Sequence, residues 1–421
     1  MNPATAEGTI ADVIAHDGVR SVYQPIVDLA TGVPIAFEAL ARGPEGSRFE
    51  MPAQLFPAAA RADLGPELER ACVRGAFEGA RAAELGEGIA LFVNLEPGLL
   101  ESGEIDQLLR LSEIVDEGIP VFIELTEREL VKNPMVLLRA VDRMRDMGIR
   151  IALDDVGADA ASLALLPFLD PEVVKLDLSL IHAHPRAEIA QIVHAVNAES
   201  ERTGALILAE GIENHGHVRR ARALGATLAQ GWLFGRPGPL NPEVAAPRPA
   251  GFSLRDPRSL EPTPFEVVSA ERETRIGDKR LLLALSMELE AHAEGNGSST
   301  VLISTFQRSE FFTPRVAGRY SPLTRELALV GALAEGPNPQ LSPGVRWRDL
   351  PAGDRLIGEW DVSVVAPHFA AAFVARDLGD DCADMDRRFE FVITYERGLA
   401  VRAARSMMRR LALPDRVAQL S

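Results

Sequence analysis

The stretch Arg150 to Leu163, RIALDDVGADAASL, decides how the rest of the chain is read. A short apolar run, Ile151 to Leu153, stops at two adjacent carboxylates, Asp154 and Asp155, followed by Gly157. Such a run is a buried strand, and an unpaired carboxylate at its end is costly to bury. Two readings are open: Asp154 or Asp155 caps the next helix, as Asp commonly does, or the pair holds a cation. Repetition of the pattern along the chain favours the cation.

Working outward, short β-rich runs alternate with longer stretches of helical spacing. The runs are Val22 to Leu29, Pro34 to Arg42, Ile89 to Leu95, Val121 to Thr126, Arg150 to Asp155, Val173 to Leu178, Ala205 to Glu210 and Thr227 to Phe234. Helical patterns such as Pro66 to Leu85, Asn133 to Met147 and Ala187 to Thr203 lie between them. Strands alternating with helices imply parallel pairing through crossovers, and such a series within one domain suggests a closed barrel. Only Ala30 to Val33 separate the first two runs, which is hairpin length. The expected fold is therefore α/β, a TIM-like barrel with one antiparallel strand.

Almost every run ends in a side chain able to hold a cation or a phosphate: Glu38 with Arg42, Asn94, Glu124 with Glu127, Asp154 with Asp155, Lys175 with Asp177, Glu210 with Glu213, and Gln230. In a parallel barrel these ends converge on the face where active sites are built. Helix capping explains any one of them. It does not explain all of them together. A ring of carboxylates repels itself unless it holds divalent cations, and oxygen ligands suit Mg²⁺ or Mn²⁺. Two such ions about 4 Å apart are a usual device for in-line displacement at a phosphodiester.

These residues carry a resemblance. Glu38-Ala39-Leu40 with Arg42 matches the Glu-x-Leu-x-Arg signature of the EAL domain family of cyclic di-GMP phosphodiesterases. Tyr23-Gln24-Pro25-Ile26-Val27, Val93-Asn94, Glu124-Leu125-Thr126-Glu127, Asp154-Asp155, Lys175-Leu176-Asp177, Ala209-Glu210-Gly211-Ile212-Glu213 and Gln230-Gly231-Trp232-Leu233-Phe234-Gly235-Arg236-Pro237 follow that family's order and spacing. The resemblance implies hydrolysis of cyclic di-GMP to linear pGpG in a barrel that forms a homodimer. It implies metal ligands at Glu38, Asn94, Glu124 and Asp154, with Asp155 and Asp177 at a second ion. Glu210 and Lys175 would be catalytic, Arg42 and Gln230 would meet the substrate, and Glu127 and Glu213 would support them. Arg42 and Lys175 also fit plain ion pairs in an acidic barrel mouth.

One segment departs from the family. Its loop after the two aspartates reads FGTGYSSL; here it is Val156-Gly157-Ala158-Asp159-Ala160-Ala161-Ser162-Leu163. Ala158 brings no hydroxyl, and Asp159 adds a charge and restricts the backbone where a glycine stood. Weaker support of the second ion is the expectation, and the alternative is a barrel that binds cyclic di-GMP or a protein partner without turnover.

Composition agrees with a folded protein of two domains: 421 residues, 47% hydrophobic and 25% charged. The net charge of −17 disfavours nucleic acid polymers and anionic membranes. The start of the chain has no basic-then-apolar leader, and no apolar run approaches bilayer length, so a cytoplasmic protein with no membrane contact is expected. Cys72 and Cys382 are isolated and read as packing residues.

The barrel domain is expected over residues 1–240. Prolines crowd 241–264, which reads as a linker. A second, smaller α/β domain is expected over 265–412, with helices at Asp278 to Ala293, Pro322 to Leu333 and Leu399 to Leu411, and strands at Ser299 to Phe306, Glu359 to Ala366, Phe369 to Ala375 and Phe389 to Tyr395. Thr300 to Gln307, Gly358 to Val362, Pro367 to Ala372 and Ala375 to Asp380 resemble the DICT sensor domain. That resemblance implies regulation of the barrel by an unknown ligand or partner. Trp360 and His368 are candidate contacts, and both are also ordinary packed residues.

Overall fold

The computed structural model describes residues 8–95, 118–132, 134–156, 160–182, 187–241, 243 and 262–412. The chain separates into two compact units, Met1–Glu129, Ala140–Ala158 and Pro171–Pro257 in one, and Leu130–Arg139, Asp159–Asp170 and Arg258–Ser421 in the other. Among the described residues no helix is long and apolar enough to cross a membrane.

The first unit is organised around a closed barrel. Strands β1 (Arg20–Asp28) and β2 (Pro34–Arg42) form the expected antiparallel hairpin, with Gln24 opposite Glu38. The Asp28 carboxylate accepts from the N–H groups of Ala30 and Thr31 at 2.8 and 3.0 Å, and Gly32 takes the left-handed turn at φ 74°. Strands β3 (Ala90–Asn94), β4 (Val121–Thr126), β5 (Arg150–Val156), β6 (Val173–Leu176), β7 (Leu206–Ala209) and β8 (Leu228–Gln230) continue in parallel from β2, and β8 closes antiparallel on β1. Expected strand 173–178 ends early because the Asp177 carboxylate accepts the Ser179 N–H at 2.8 Å and opens a short helix, Leu178–His182.

Among the described residues the helices up to β8 are, in chain order, α1 (Ile10–Ala15), α2 (Pro52–Arg61), α3 (Gly65–Ala82), α4 (Glu127–Lys132), α5 (Pro134–Asp146), α6 (Ala160–Leu169), α7 (Leu178–His182), α8 (Ala187–Thr203) and α9 (His215–Ala223). Leu68, Ala71, Ala76, Phe77 and Ala80 form the buried side of α3. There the Tyr23 hydroxyl donates to the Ala76 carbonyl at 2.8 Å, and Gly79 leaves room for it, since an added Cβ would come within 2.1 Å of that oxygen. Inside the barrel, Ile26, Ala36, Phe92, Phe122, Ala152, Val173, Leu208 and Leu228 form an apolar floor with one residue from each strand. The rings of Phe92 and Phe122 stack at 4.3 Å.

The second unit contains a seven-stranded sheet in the order β12-β11-β10-β13-β14-β15-β9. Its strands are β9 (Arg275–Asp278), β10 (Val301–Arg308), β11 (Leu329–Glu335), β12 (Arg346–Asp349), β13 (Glu359–Val365), β14 (Ala370–Asp377) and β15 (Arg388–Thr394). Helices α11 (Lys279–Asn296) and α12 (Pro314–Glu326) pack on one face through Leu282, Leu289, Ala293, Tyr320 and Leu323. Helices α10 (Pro264–Ser269) and α13 (Arg397–Ala412) cover the other through Phe265, Val268, Ala400 and Ala403. Thr263 caps α10 through a reciprocal pair of bonds with Glu266.

Three expectations change. The helix read at Pro322 to Leu333 lies earlier, capped by Thr313 and started by Pro314, and Leu329–Glu335 is a central strand paired in parallel on both sides. The short strands β9 and β12 were not expected. Cys72 is half-buried, but Cys382 is exposed and does not pack. Of the departing loop, Val156 ends β5 and Ala160 and Ala161 begin α6, while residues 157–159 lie outside the described residues. Of the segment 241–264, position 242 and positions 244–261 also lie outside them.

Candidate active site

The site follows from the floor by one step of strand geometry. Side chains on one face of a strand recur every second residue. Two residues beyond Ala36, Phe92, Phe122, Ala152, Val173, Leu208 and Leu228 stand Glu38, Asn94, Glu124, Asp154, Lys175, Glu210 and Gln230. On β1, which runs the other way, the equivalent step from Ile26 leads back to Gln24. Each strand, or for Glu210 the residue just after β7, thus contributes one polar residue above one apolar residue, at the end of the barrel where the parallel strands finish.

Lys175 stands at the centre, 1% exposed. Its ammonium lies 2.8 Å from Glu124 Oε1, 2.9 Å from Glu210 Oε1, 3.1 Å from Asp154 Oδ1 and 3.7 Å from Glu38 Oε2. Burial alone would discharge it, but Glu124, Glu210, Glu38 and Asp154 outweigh burial and hold the amine well above its usual range. Glu38 accepts from Asn94 Nδ2 at 2.9 Å and from Gln230 Nε2 at 2.6 Å. Burial opposes its ionisation, yet Lys175 and the two amides keep its carboxyl below the usual range. Gln230 Nε2 also donates to Gln24 Oε1 at 3.1 Å, and Gln24 Nε2 donates to the Gly235 carbonyl at 3.1 Å.

Glu124 is the group least provided for. It is 2% exposed, and neither carboxylate oxygen has a hydrogen bond of good geometry; the Lys175 ammonium approaches as an ion pair. Burial first, then Glu38, push its carboxyl well above the ordinary range. Burial also raises Glu210 to about 7, helped by Asp154 and Glu38 and only partly offset by Lys175. Asp155, at φ 57°, sits where the β5–β6 register shifts, and its N–H donates to Asp154 Oδ1 at 2.9 Å. Desolvation, with Asp154 and Asp177 nearby, raises its carboxyl. Donor atoms of Asp154, Asp155 and Glu210 lie within 4.8 Å of one another.

The other residues singled out in the sequence stand further from this cluster. Arg42 Nη1 donates to the Ala41 carbonyl at 2.8 Å, with Arg20 and Glu50 as its charged neighbours. Glu127 is buried at the start of α4. Glu213 is exposed beside His182 and His217, and the three have donor atoms within 4.8 Å of one another. Sequence reading passed over Gln24, although its place opposite Glu38 in the hairpin was available as a signal. It also passed over His182 and His217, which only the fold brings together.

The mouth of this mixed barrel is acidic and centred on Lys175. The chain belongs to the EAL domain family, whose model matches residues 8–237. It is 30% identical over 236 residues to a probable cyclic di-GMP phosphodiesterase, PdeB of Escherichia coli (strain K12), covering 54% of this chain and 44% of that protein. It is also 30% identical over 239 residues to the cyclic di-GMP phosphodiesterase PdeB of Shewanella oneidensis, covering 55% and 28%. The chain therefore spans less than half the length of either relative. Among solved structures, the calcium and cyclic di-GMP complex of Klebsiella pneumoniae BlrP1 aligns with a TM-score of 0.47 at 30% identity, covering 52% of this chain and 56% of that one.

Proposed function

We propose that the barrel hydrolyses cyclic di-GMP to linear pGpG with two divalent cations, Mg²⁺ or Mn²⁺. The Glu124 carboxylate carries this reading: it is buried, repelled by Glu38 and Asp154, and paired with a Lys175 ammonium that three other carboxylates share. Carboxyls crowded until they hold their protons are the chemistry of a site that a hard cation would ionise and occupy, so the donor set fits one. The names of the two PdeB relatives support the choice of substrate.

Glu38, Asn94, Glu124 and Asp154 would hold one cation, and Asp155 and Asp177 the second. The bound cations would neutralise phosphate charge and acidify the attacking water. Glu210, with a carboxyl near 7, can accept that water's proton at neutral pH as the new phosphorus–oxygen bond forms and the phosphorus–O3′ bond breaks, the ribose 3′ oxygen taking up a proton from solvent. Lys175 keeps Glu210 in place at 2.9 Å and offers positive charge toward the phosphate. Gln230, steadied by Gln24, fixes Glu38 and can reach the substrate. Arg42 would turn from the Ala41 carbonyl to a substrate phosphate, with Glu127 and Glu213 supporting the mouth. This reading includes a homodimer through the barrel, a cytoplasmic setting and regulation by a DICT-type domain over 265–412.

The sequence of loop 156–161 favours a second reading, a barrel that binds cyclic di-GMP without cleaving it. Turnover measured with Mg²⁺ or Mn²⁺, with Glu38→Ala as control, separates them. Metal-dependent pGpG formation lost in the variant supports the phosphodiesterase. Binding without product supports the receptor.

A further inference from the structure

The second unit contains a cavity of about 350 Å³ beside the carboxyl end of β10, in the size range of small-molecule sites. There the sheet changes character: β10 pairs in parallel with β11 on one side and antiparallel with β13 on the other. Open α/β sheets commonly place ligands outside the carboxyl ends of their strands. Aromatic side chains line the cavity at Phe306, Phe311 and Trp360, and Met287 and Met385 stand at its exposed rim. Trp360 is braced edge-on by Phe373 and Phe389 at 5.6 and 5.8 Å, so this wall is rigid. Methionines at the rim can adapt to the outline of an occupant.

The charges around the cavity are almost all matched. Lys279 is bonded to Asp384 at 2.7 Å and lies over the Phe311 ring at 4.6 Å. The Glu290 carboxylate accepts from Arg319 Nε and from the Tyr320 hydroxyl, both at 3.0 Å. Arg315 is exposed at the same cavity and makes no hydrogen bond or ion pair among the described residues. One positive charge is therefore left over beside an aromatic wall. Gln307, which also lines the cavity, has a left-handed backbone at φ 58° where the β10–β11 register shifts. Its side chain is clamped by Arg387 and Asp377. Non-glycine residues held in this conformation gather at ligand clamps and switches.

We propose that this cavity is a binding site for a small aromatic molecule with one anionic group, the ring against Phe306, Phe311 and Trp360 and the anion at Arg315. The inference is independent of what the barrel does. The test uses the full chain and two fluorescent probes, the anionic 1-anilinonaphthalene-8-sulfonate and the neutral N-phenyl-1-naphthylamine. The anionic probe should saturate at one site per chain. Arg315→Ala, an exposed substitution, should weaken it about 10-fold while changing the neutral probe less than about two-fold. Met287→Trp, which fills the rim, should weaken both probes about 10-fold with an unchanged circular dichroism spectrum. Unsaturable binding, or binding unaffected by Met287→Trp, overturns the site. An equal response of both probes to Arg315→Ala overturns the anionic class of ligand.

Discussion

Lys175 and Glu124 form an ion pair at 2.8 Å in which the side chains are 1% and 0% exposed. The ammonium is shared with Glu210, Asp154 and Glu38, so one positive charge offsets several negative ones. Removing one partner of a buried pair typically costs about 3–5 kcal/mol. Lys175→Met should therefore lower the metal-free melting temperature of the protein by at least about 5 °C. Added Mn²⁺ should recover much of that loss. Equal melting of variant and wild type in EDTA would show that the carboxylates do not depend on the lysine.

Glu124→Gln should act in the opposite direction on stability. It removes a charge that burial and Glu38 already disfavour, so the metal-free fold should hold or gain. Metal-dependent hydrolysis should fall at least about 100-fold, because a ligand is lost. Calorimetric metal titration together with product analysis checks both halves, and unchanged turnover would remove Glu124 from the site.

Gln24 is placed to act through Gln230, which donates to both Gln24 and Glu38. Gln24→Leu should leave folding intact and reduce turnover about 10-fold. The loss should appear as a higher metal requirement, with cyclic di-GMP affinity little changed. A variant with wild-type metal dependence would make Gln24 a packing residue.

In the second unit Asp361 is fully buried and accepts from Thr305 Oγ1 at 3.2 Å, with Glu359 on the same face of β13. Burial, then Glu359, holds the Asp361 carboxyl well above its usual range, and burial raises Glu359 to about 7. Both folded-state values exceed the unfolded ones, so the folded state binds these protons more tightly. The resulting stabilisation is full below the unfolded carboxylate range and is lost as pH rises through about 7 for Glu359. Melting should decline between about pH 5 and pH 8, and Asp361→Asn should flatten that decline. A steeper decline in the variant would contradict the assignment.

Loop 156–161 can be tested by restoring the family's residues: Val156→Phe, Ala158→Thr, Asp159→Gly, Ala160→Tyr and Ala161→Ser together, since neighbours in one loop do not act additively. Turnover should rise about 10-fold and the metal requirement should fall, a change of about 1.4 kcal/mol. No change in a wild type that is already fast would make the departures neutral.

The barrel was legible because its strands have two sides of different character, an apolar run ending in a charge. Asp154 and Asp155 announce the site because nothing in a buried strand accounts for them. Leu329–Glu335 misled because a central strand buried on both faces has no alternation to separate it from a helix. Arg346–Asp349 is a short charged edge strand, and such strands carry little signal. Gln24 was hidden by direction: on the antiparallel strand the site residue comes before the apolar one in the chain. The cavity by Trp360 could not be read at all, because its walls come from four separate segments between Lys279 and Met385.

The two-residue step from floor to mouth also determines which length changes the gene can tolerate. A single codon inserted in β4 between Phe122 and Glu124 would turn the glutamate to the outside of the barrel, since a shift of one residue exchanges the two faces. The same codon placed in a longer connection, such as residues 43–51 between β2 and α2, would leave the strand faces unchanged. Natural insertions and deletions among such chains should therefore accumulate between strands and be purged within them, so that the reading frame of the site is kept by strand length rather than by total length.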